Sequence, residues 1–146
     1  MTDIRKVVDK LKNDNFVAEG SGDNFFIVKN NTVISPEGRN MLRGISRDYI
    51  MKDLCKTLDI NVIEKNIEPY DVYEADEAFI SATPFCMLPV TSLNSLKIGD
   101  GKPGKVFNKL IRLWSKNTGV DIIKQIESWN KGIENSKNKV TPYKFK

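Results

Sequence analysis

A glycine followed at once by a helix start, with hydroxyl and cationic side chains beside it, is a pattern that can do chemistry. Leu42-Arg43-Gly44-Ile45-Ser46-Arg47 has that form. The glycine allows a sharp turn, Ser46 reads as the helix N-cap, and free N–H groups of the first turn point outward with the positive end of the helix dipole behind them. Such a site takes an anion. A second small, hydroxyl-bearing turn, Ser81-Ala82-Thr83, can supply further donors to the same phosphate. The alternative is an ordinary capped helix, and the hexapeptide alone does not choose between them.

Other patterns carry less. Gly99-Asp-Gly-Lys-Pro-Gly104-Lys105-Val106 misses a P-loop by one residue, but valine stands where the magnesium-binding hydroxyl belongs. Pro103 also removes an N–H that a phosphate cradle would use. The stretch reads as a loop that caps the next helix. Gly20-Ser21-Gly22 lacks the third glycine of a dinucleotide fingerprint and opens no helix. The acidic run through Glu64, Glu68, Asp71, Glu74, Asp76 and Glu77 fits no calcium loop and reads as a solvated face, so no metal site is expected. With no histidine in the chain, the Ser-His-Asp and Cys-His nucleophile systems and histidine-ligated zinc are excluded. Two cysteines, Cys55 and Cys86, read as reduced, packed thiols of a cytoplasmic protein.

The elements that must position these residues belong to one ordinary-sized domain of 146 residues, 40% hydrophobic and 29% charged. Its net charge of +4 is local: Lys131 to Lys146 holds five lysines and one glutamate, and the remaining residues sum to zero. A lysine tail without aromatic interleaving is no nucleic-acid motif. No apolar run approaches the ~20 residues that span a bilayer, so neither a nucleic-acid nor a membrane partner is expected. Ile4, Val7, Val8 and Leu11 form one face of an amphipathic helix within residues 1–15. Phe16 to Glu19 reads as a short strand. Asn24 to Lys29 and Thr32 to Ser35 read as a hairpin closed by Asn30-Asn31. A helix from Ser46 carries Ile50, Leu54 and Leu58 and ends at Asp59. Ile60 to Ile67 alternates like a half-buried strand, and Glu68 to Asp76 reads as a short helix or turn. Ala78 to Thr83 and Cys86 to Thr91 are strands parted by Pro84. Two helices follow, one with Val106, Leu110, Leu113 and Trp114, the other from about Val120 to Trp129. The loose alternation implies a mixed α/β fold. The expected organisation is a helix over 1–15, the main domain over 16–130, and a flexible lysine-rich tail over 131–146.

Several spaced residues together resemble the class IV pyridoxal-phosphate aminotransferases. Glu19, Ser21, Asn24, Phe25 and Phe26 are similar to the start of that family's signature; Val33-x-Ser35 and Leu42-x-Gly44-Ile45-x-Arg47 are similar to its continuation. Serine at 35 replaces the usual threonine. Similarity continues through Ala75 to Phe79, Ser81 to Thr83, Leu88-Pro89-Val90 and the loop from Gly99 to Gly104, covering roughly Phe16 to Trp114. The resemblance implies the large domain of the fold-type IV enzymes, like that of D-amino-acid aminotransferase: a mixed sheet or partial barrel flanked by helices.

It also implies roles. Glu19 would lie against the pyridine nitrogen of pyridoxal 5'-phosphate, Leu42 on one ring face, and Ile45, Ser46 and Thr83 around the phosphate. Pro84 and Phe85 would border the substrate, with Phe85 narrowing the pocket. The activity implied is transamination between a branched-chain amino acid and a 2-oxo acid, by a homodimer or with a partner domain. The alternatives are a non-catalytic phosphate-binding or scaffold protein, or a piece of an aminodeoxychorismate lyase or D-amino-acid transaminase. One departure stands out. The family's Schiff-base lysine lies further upstream than the eighteen residues before Glu19 allow, and Lys6, Lys10 and Lys12 are too close. The expectation is therefore a cofactor-binding half without its nucleophile or its smaller N-terminal domain, inactive alone and binding the cofactor non-covalently.

Overall fold

The computed structural model describes residues 16–39 and 41–135. Both the amphipathic segment over 1–15 and the end of the lysine tail, 136–146, lie outside them.

Alternate residues of Asn24–Lys29 are apolar on both sides, which is what a strand buried on two faces requires. This strand, β1, pairs antiparallel with β2 (Thr32–Ser35) in the register Ile27↔Ile34. Asn30 and Asn31 both take positive φ, 49° and 58°, the paired left-handed geometry that closes a two-residue hairpin and that asparagine tolerates. Adding β3 (Asn61–Glu64), β4 (Glu77–Ala82) and β5 (Cys86–Val90) gives a five-stranded sheet of order β3-β2-β1-β4-β5. Only β2 and β3 run parallel, joined by a helical crossover; the other pairings are antiparallel. The sheet is mixed, as expected.

That crossover, α1, is one continuous helix: Ile45–Tyr49 is α, Ile50–Leu54 opens into a π turn, and Cys55–Thr57 is α again. The wider turn keeps Ile50, Leu54 and Cys55 all against the sheet, each fully buried. Asp59 ends it in the left-handed region, φ 53°, where Ile60 N–H donates to Cys55 O at 2.9 Å. The helix starts two residues earlier than its serine suggests. Gly44, extended at φ −69° and ψ 142°, is the N-cap, and Ser46 is already helical.

One face of the sheet carries Phe26, Val28, Phe79 and Met87 under α1 and α3 (Lys105–Thr118). Phe26 stacks on Phe79 at 4.8 Å, and Tyr49 meets Trp114 edge-on at 5.1 Å, tying α1 to α3. The other face carries Phe25, Ile27, Ile34 and Ile80 beneath Val17, Ile67, the short helix α2 (Pro69–Tyr73) and a small hairpin of β6 (Ser92–Leu93) and β7 (Leu96–Lys97). The strand expected over Phe16 to Glu19 is reduced to single bridges, Val17↔Ile67 and Glu19↔Asn24. The strand expected over Ile60 to Ile67 ends at Glu64, where β2 ends, and only Ile67 pairs again, in its single bridge to Val17. A last helix, α4, runs Ile122–Asn135, past the expected end at Trp129.

The acidic run is a solvated face for the most part, with Glu64, Glu68, Glu74 and Asp76 exposed, but it is more than that. Glu68 and Asp71 form the capping box of α2, and Asp76 accepts the Asn30 N–H at 2.7 Å. Glu77 is buried and accepts the first N–H groups of α3, Val106 at 2.8 Å and Phe107 at 2.9 Å. A Cβ at Gly104 would lie 1.9 Å from the Glu77 carboxyl carbon, so glycine is needed there to admit this cap. A carboxylate from β4 thus holds the helix start that a phosphate would need in a P-loop.

Cys55 is fully buried, and burial pushes its thiol up to about 12. A thiol reagent at pH 8 should label half-buried Cys86 slowly and Cys55 only on unfolding. Fast labelling of Cys55 in the native chain, read by peptide mass mapping, would show that the core between α1 and the sheet is open.

Candidate functional site

Three chain segments meet at the end of the sheet where β1 begins and β4 ends. They are the turn Glu19–Asn24, the start of α1 at Leu42 and Gly44–Ser46, and the strand end Ser81–Thr83. Between them is a cavity of about 200 Å³. The sequence expectation named Glu19, Leu42, Ile45, Ser46 and Thr83, and all five line it. Pro84 and Phe85 do not. Pro84 is exposed, and Phe85 is half-buried against the core on the opposite face of the sheet from α1.

Asn24 holds the cavity together. Its side-chain amide donates to Glu19 Oε2 at 3.1 Å and to Leu42 O at 2.9 Å, while Leu42 N–H donates to the same Glu19 oxygen at 2.9 Å. Both bonds fall on Oε2, which leaves Oε1 for a ligand. Gly44 passes so close that a Cβ there would sit 2.3 Å from Asn24 Oδ1. Glu19, Asn24 and the Leu42 backbone are thus one hydrogen-bonded unit, and glycine at 44 leaves room for it.

Ser35 and Arg47 belong to a different unit. Arg47 is buried, its Nε donates to Ser35 Oγ at 3.0 Å, and its Nη2 lies 2.9 Å from Glu64 Oε1. The pair fastens α1 to β2 and β3 and touches no part of the cavity. Serine in place of threonine at 35 keeps the hydroxyl that this contact uses.

The start of α1 has no side-chain cap, so its first-turn N–H groups lack helical partners and remain available. Ser81, 1% exposed, faces the same cavity with an unpartnered hydroxyl. The turn Ser81-Ala82-Thr83 is a donor source by its residue types, but only its contacts single out Ser81 as the buried hydroxyl without a partner. Asp23 adds a second carboxylate beside Glu19; burial pushes its carboxyl up, a Gly20 hydrogen bond opposes this, and the Glu19 charge adds to the rise. Among the described residues, the lining contains these two acids and no lysine or arginine. At the mouth, Leu42 and Ile45 are 77% and 87% exposed, two large apolar side chains awaiting cover.

The stretch that carries this carboxylate and helix start also matches a known family. Amino-transferase class IV matches residues 2–93. The chain belongs to this family. Among its class IV relatives, a probable branched-chain-amino-acid aminotransferase of Aquifex aeolicus is 38% identical over 101 residues, 68% of this chain and 32% of that protein. The branched-chain-amino-acid aminotransferase of Pseudomonas aeruginosa is 39% identical over 100 residues, with coverage of 68% and 32%. The solved branched-chain amino acid aminotransferase of Escherichia coli superposes with TM-score 0.63 at 36% identity, over 66% of this chain and 32% of that one. A T.th. branched-chain amino acid aminotransferase, solved with pyridoxamine 5'-phosphate, gives 0.64 at 33% identity, over 67% and 32%. The fold is that of the fold-type IV enzymes. The chain spans about a third of the length of these relatives.

Proposed function

We propose that this chain is the cofactor-binding part of a branched-chain amino acid aminotransferase, and that its cavity holds pyridoxal 5'-phosphate. The observation that carries this reading is the pairing of Glu19 with an uncapped helix start across one cavity. The fit is chemical. Glu19 Oε1 would face the pyridine nitrogen, and its charge keeps a proton on that nitrogen. Leu42 would cover a ring face, and the N–H groups of Ile45 and Ser46 with the Thr83 hydroxyl would hold the phosphate. When bound, the cofactor supplies an electron sink for the amino-acid carbon that loses its proton. Asn24 keeps Glu19 oriented throughout, by donating to the oxygen that does not face the ring.

The substrates under this reading are an amino acid and a 2-oxo acid, with branched-chain side chains the first to try, in a cytoplasmic homodimer or with a companion domain. Cover for Leu42 and Ile45 comes from that second copy or domain. Pro84 and Phe85 border the substrate only if their loop moves toward the cavity. Over the 146 residues alone, binding is non-covalent and weak, with Kd on the order of 0.1 mM, because neutral donors face a phosphate dianion beside two carboxylates and, among the described residues, no cationic side chain lines the cavity.

Titrating the chain with pyridoxal 5'-phosphate should quench its tryptophan fluorescence saturably, and borohydride should leave only sub-stoichiometric pyridoxyl label scattered over surface lysines. One lysine labelled one-to-one overturns the non-covalent reading; no saturable binding at millimolar cofactor overturns the site.

A further inference from the structure

We infer that Ser81 is a ligand of the cofactor's phosphate monoester, kept as a buried hydroxyl at the cost of stability in the free protein. The inference rests on the cofactor reading above. On the pleat of β4, Ser81 shares a face with Phe79, and its register partners are Asn24 on β1 and Met87 on β5. Phe79 and Met87 lie in the core under α1 and α3, which places Ser81 at the cavity end of that face, beside the start of α1. Its side chain is 1% exposed and its hydroxyl has no partner among the described residues.

An orphaned buried hydroxyl is costly, so a group that completes it is expected. The neighbours identify that group. Asn24 spends its amide on Glu19 and Leu42, while the first-turn N–H groups of α1 and the Thr83 hydroxyl are donors. The cavity's acceptors are the Glu19 and Asp23 carboxylates, Asp23 Oδ1 being without a partner among the described residues; a partner common to the donors must accept, and a phosphate oxygen does so. Ser81 would then reach the phosphate from the sheet side while the helix start reaches it along the axis. The pyridine ring, held by Glu19 and Leu42, gains nothing from it.

The test uses the full 146-residue chain with two probes, pyridoxal 5'-phosphate and pyridoxal, which lacks the phosphate. Ser81→Ala should weaken binding of the phosphorylated probe about tenfold and leave pyridoxal unchanged. Ser81→Cys, similar in size but a weak donor, should fall between. The ³¹P resonance of the bound cofactor should shift in Ser81→Ala, and the ligand-free variant should melt ~3 °C higher than the unsubstituted chain. Equal weakening of both probes, or a ligand-free variant that melts lower, overturns the assignment while leaving the cofactor site standing. Failure of the unsubstituted chain to bind either probe overturns both.

Discussion

Arg47→Ala should cost the folded chain about 2–4 kcal/mol, the largest stability loss expected from any one side chain outside the apolar core. Three contributions add. The arginine stem is packed between α1 and the sheet, its side chain only 3% exposed, so truncation leaves a cavity. Ser35, fully buried, loses the donor that reaches it at 3.0 Å. Glu64 loses its ion-pair partner at 2.9 Å, but it is 46% exposed, water can screen much of that attraction, and Arg47 Nη2 makes no hydrogen bond among the described residues, which keeps the total below that of a fully buried, hydrogen-bonded pair. Arg47→Lys should lose less, because the charge stays while the Nε contact to Ser35 goes. Urea unfolding should show the midpoint falling with an unchanged slope. Loss below 1 kcal/mol for Arg47→Ala would mean that this basic residue is not what fastens α1 to β2 and β3.

That result would also separate two kinds of residue that look alike in the sequence. Ser35 and Arg47 sit in the same spaced signature as Glu19, Leu42 and Ile45, yet the first two fasten a helix and the others line a cavity. Nothing in their types or spacing tells these apart; only the contacts do. The hairpin Asn24 to Ser35 was legible to the residue, because its turn chemistry and its two-sided apolar pattern are local. α3 was legible for the same reason: Val106, Leu110 and Trp114 follow the helical period and all are buried.

What was not legible depends on distant partners. Ser46 is the better N-cap by propensity, but Gly44 takes the position, and Asn24 leaves no room for a Cβ there. The carboxylates from Glu64 to Glu77 are mostly solvated as they look, but their contacts to Arg47, Asn30 and the start of α3, and the burial of Glu77, come from distant partners. The small hairpin of β6 and β7 has two-residue strands, too short for any period. Its Asn94-Ser95 turn, with φ 48° and 66°, was the one local sign.

Gly44→Ala should reduce affinity for pyridoxal 5'-phosphate at least about tenfold, and more than any conservative change at the ring-facing residues, although position 44 donates no side chain. The added Cβ would stand 2.3 Å from Asn24 Oδ1, inside contact distance, and Asn24 is 6% exposed with little room to retreat. The amide must therefore swing, breaking its bonds to Glu19 at 3.1 Å and to Leu42 at 2.9 Å together. Glu19 then keeps only the Leu42 N–H, and that loop is itself displaced. Two hydrogen bonds at roughly 1 kcal/mol each, one of them to a carboxylate, set the expected scale in stability as well. Asn24→Ala should give a similar loss of affinity, since it removes the same bonds without the clash. The double variant Gly44→Ala/Asn24→Ala is decisive, because with no amide to collide with, the second substitution should add little to the first. Additive losses would show that Gly44 acts on the ligand through the backbone of α1 and not through the Asn24 clamp.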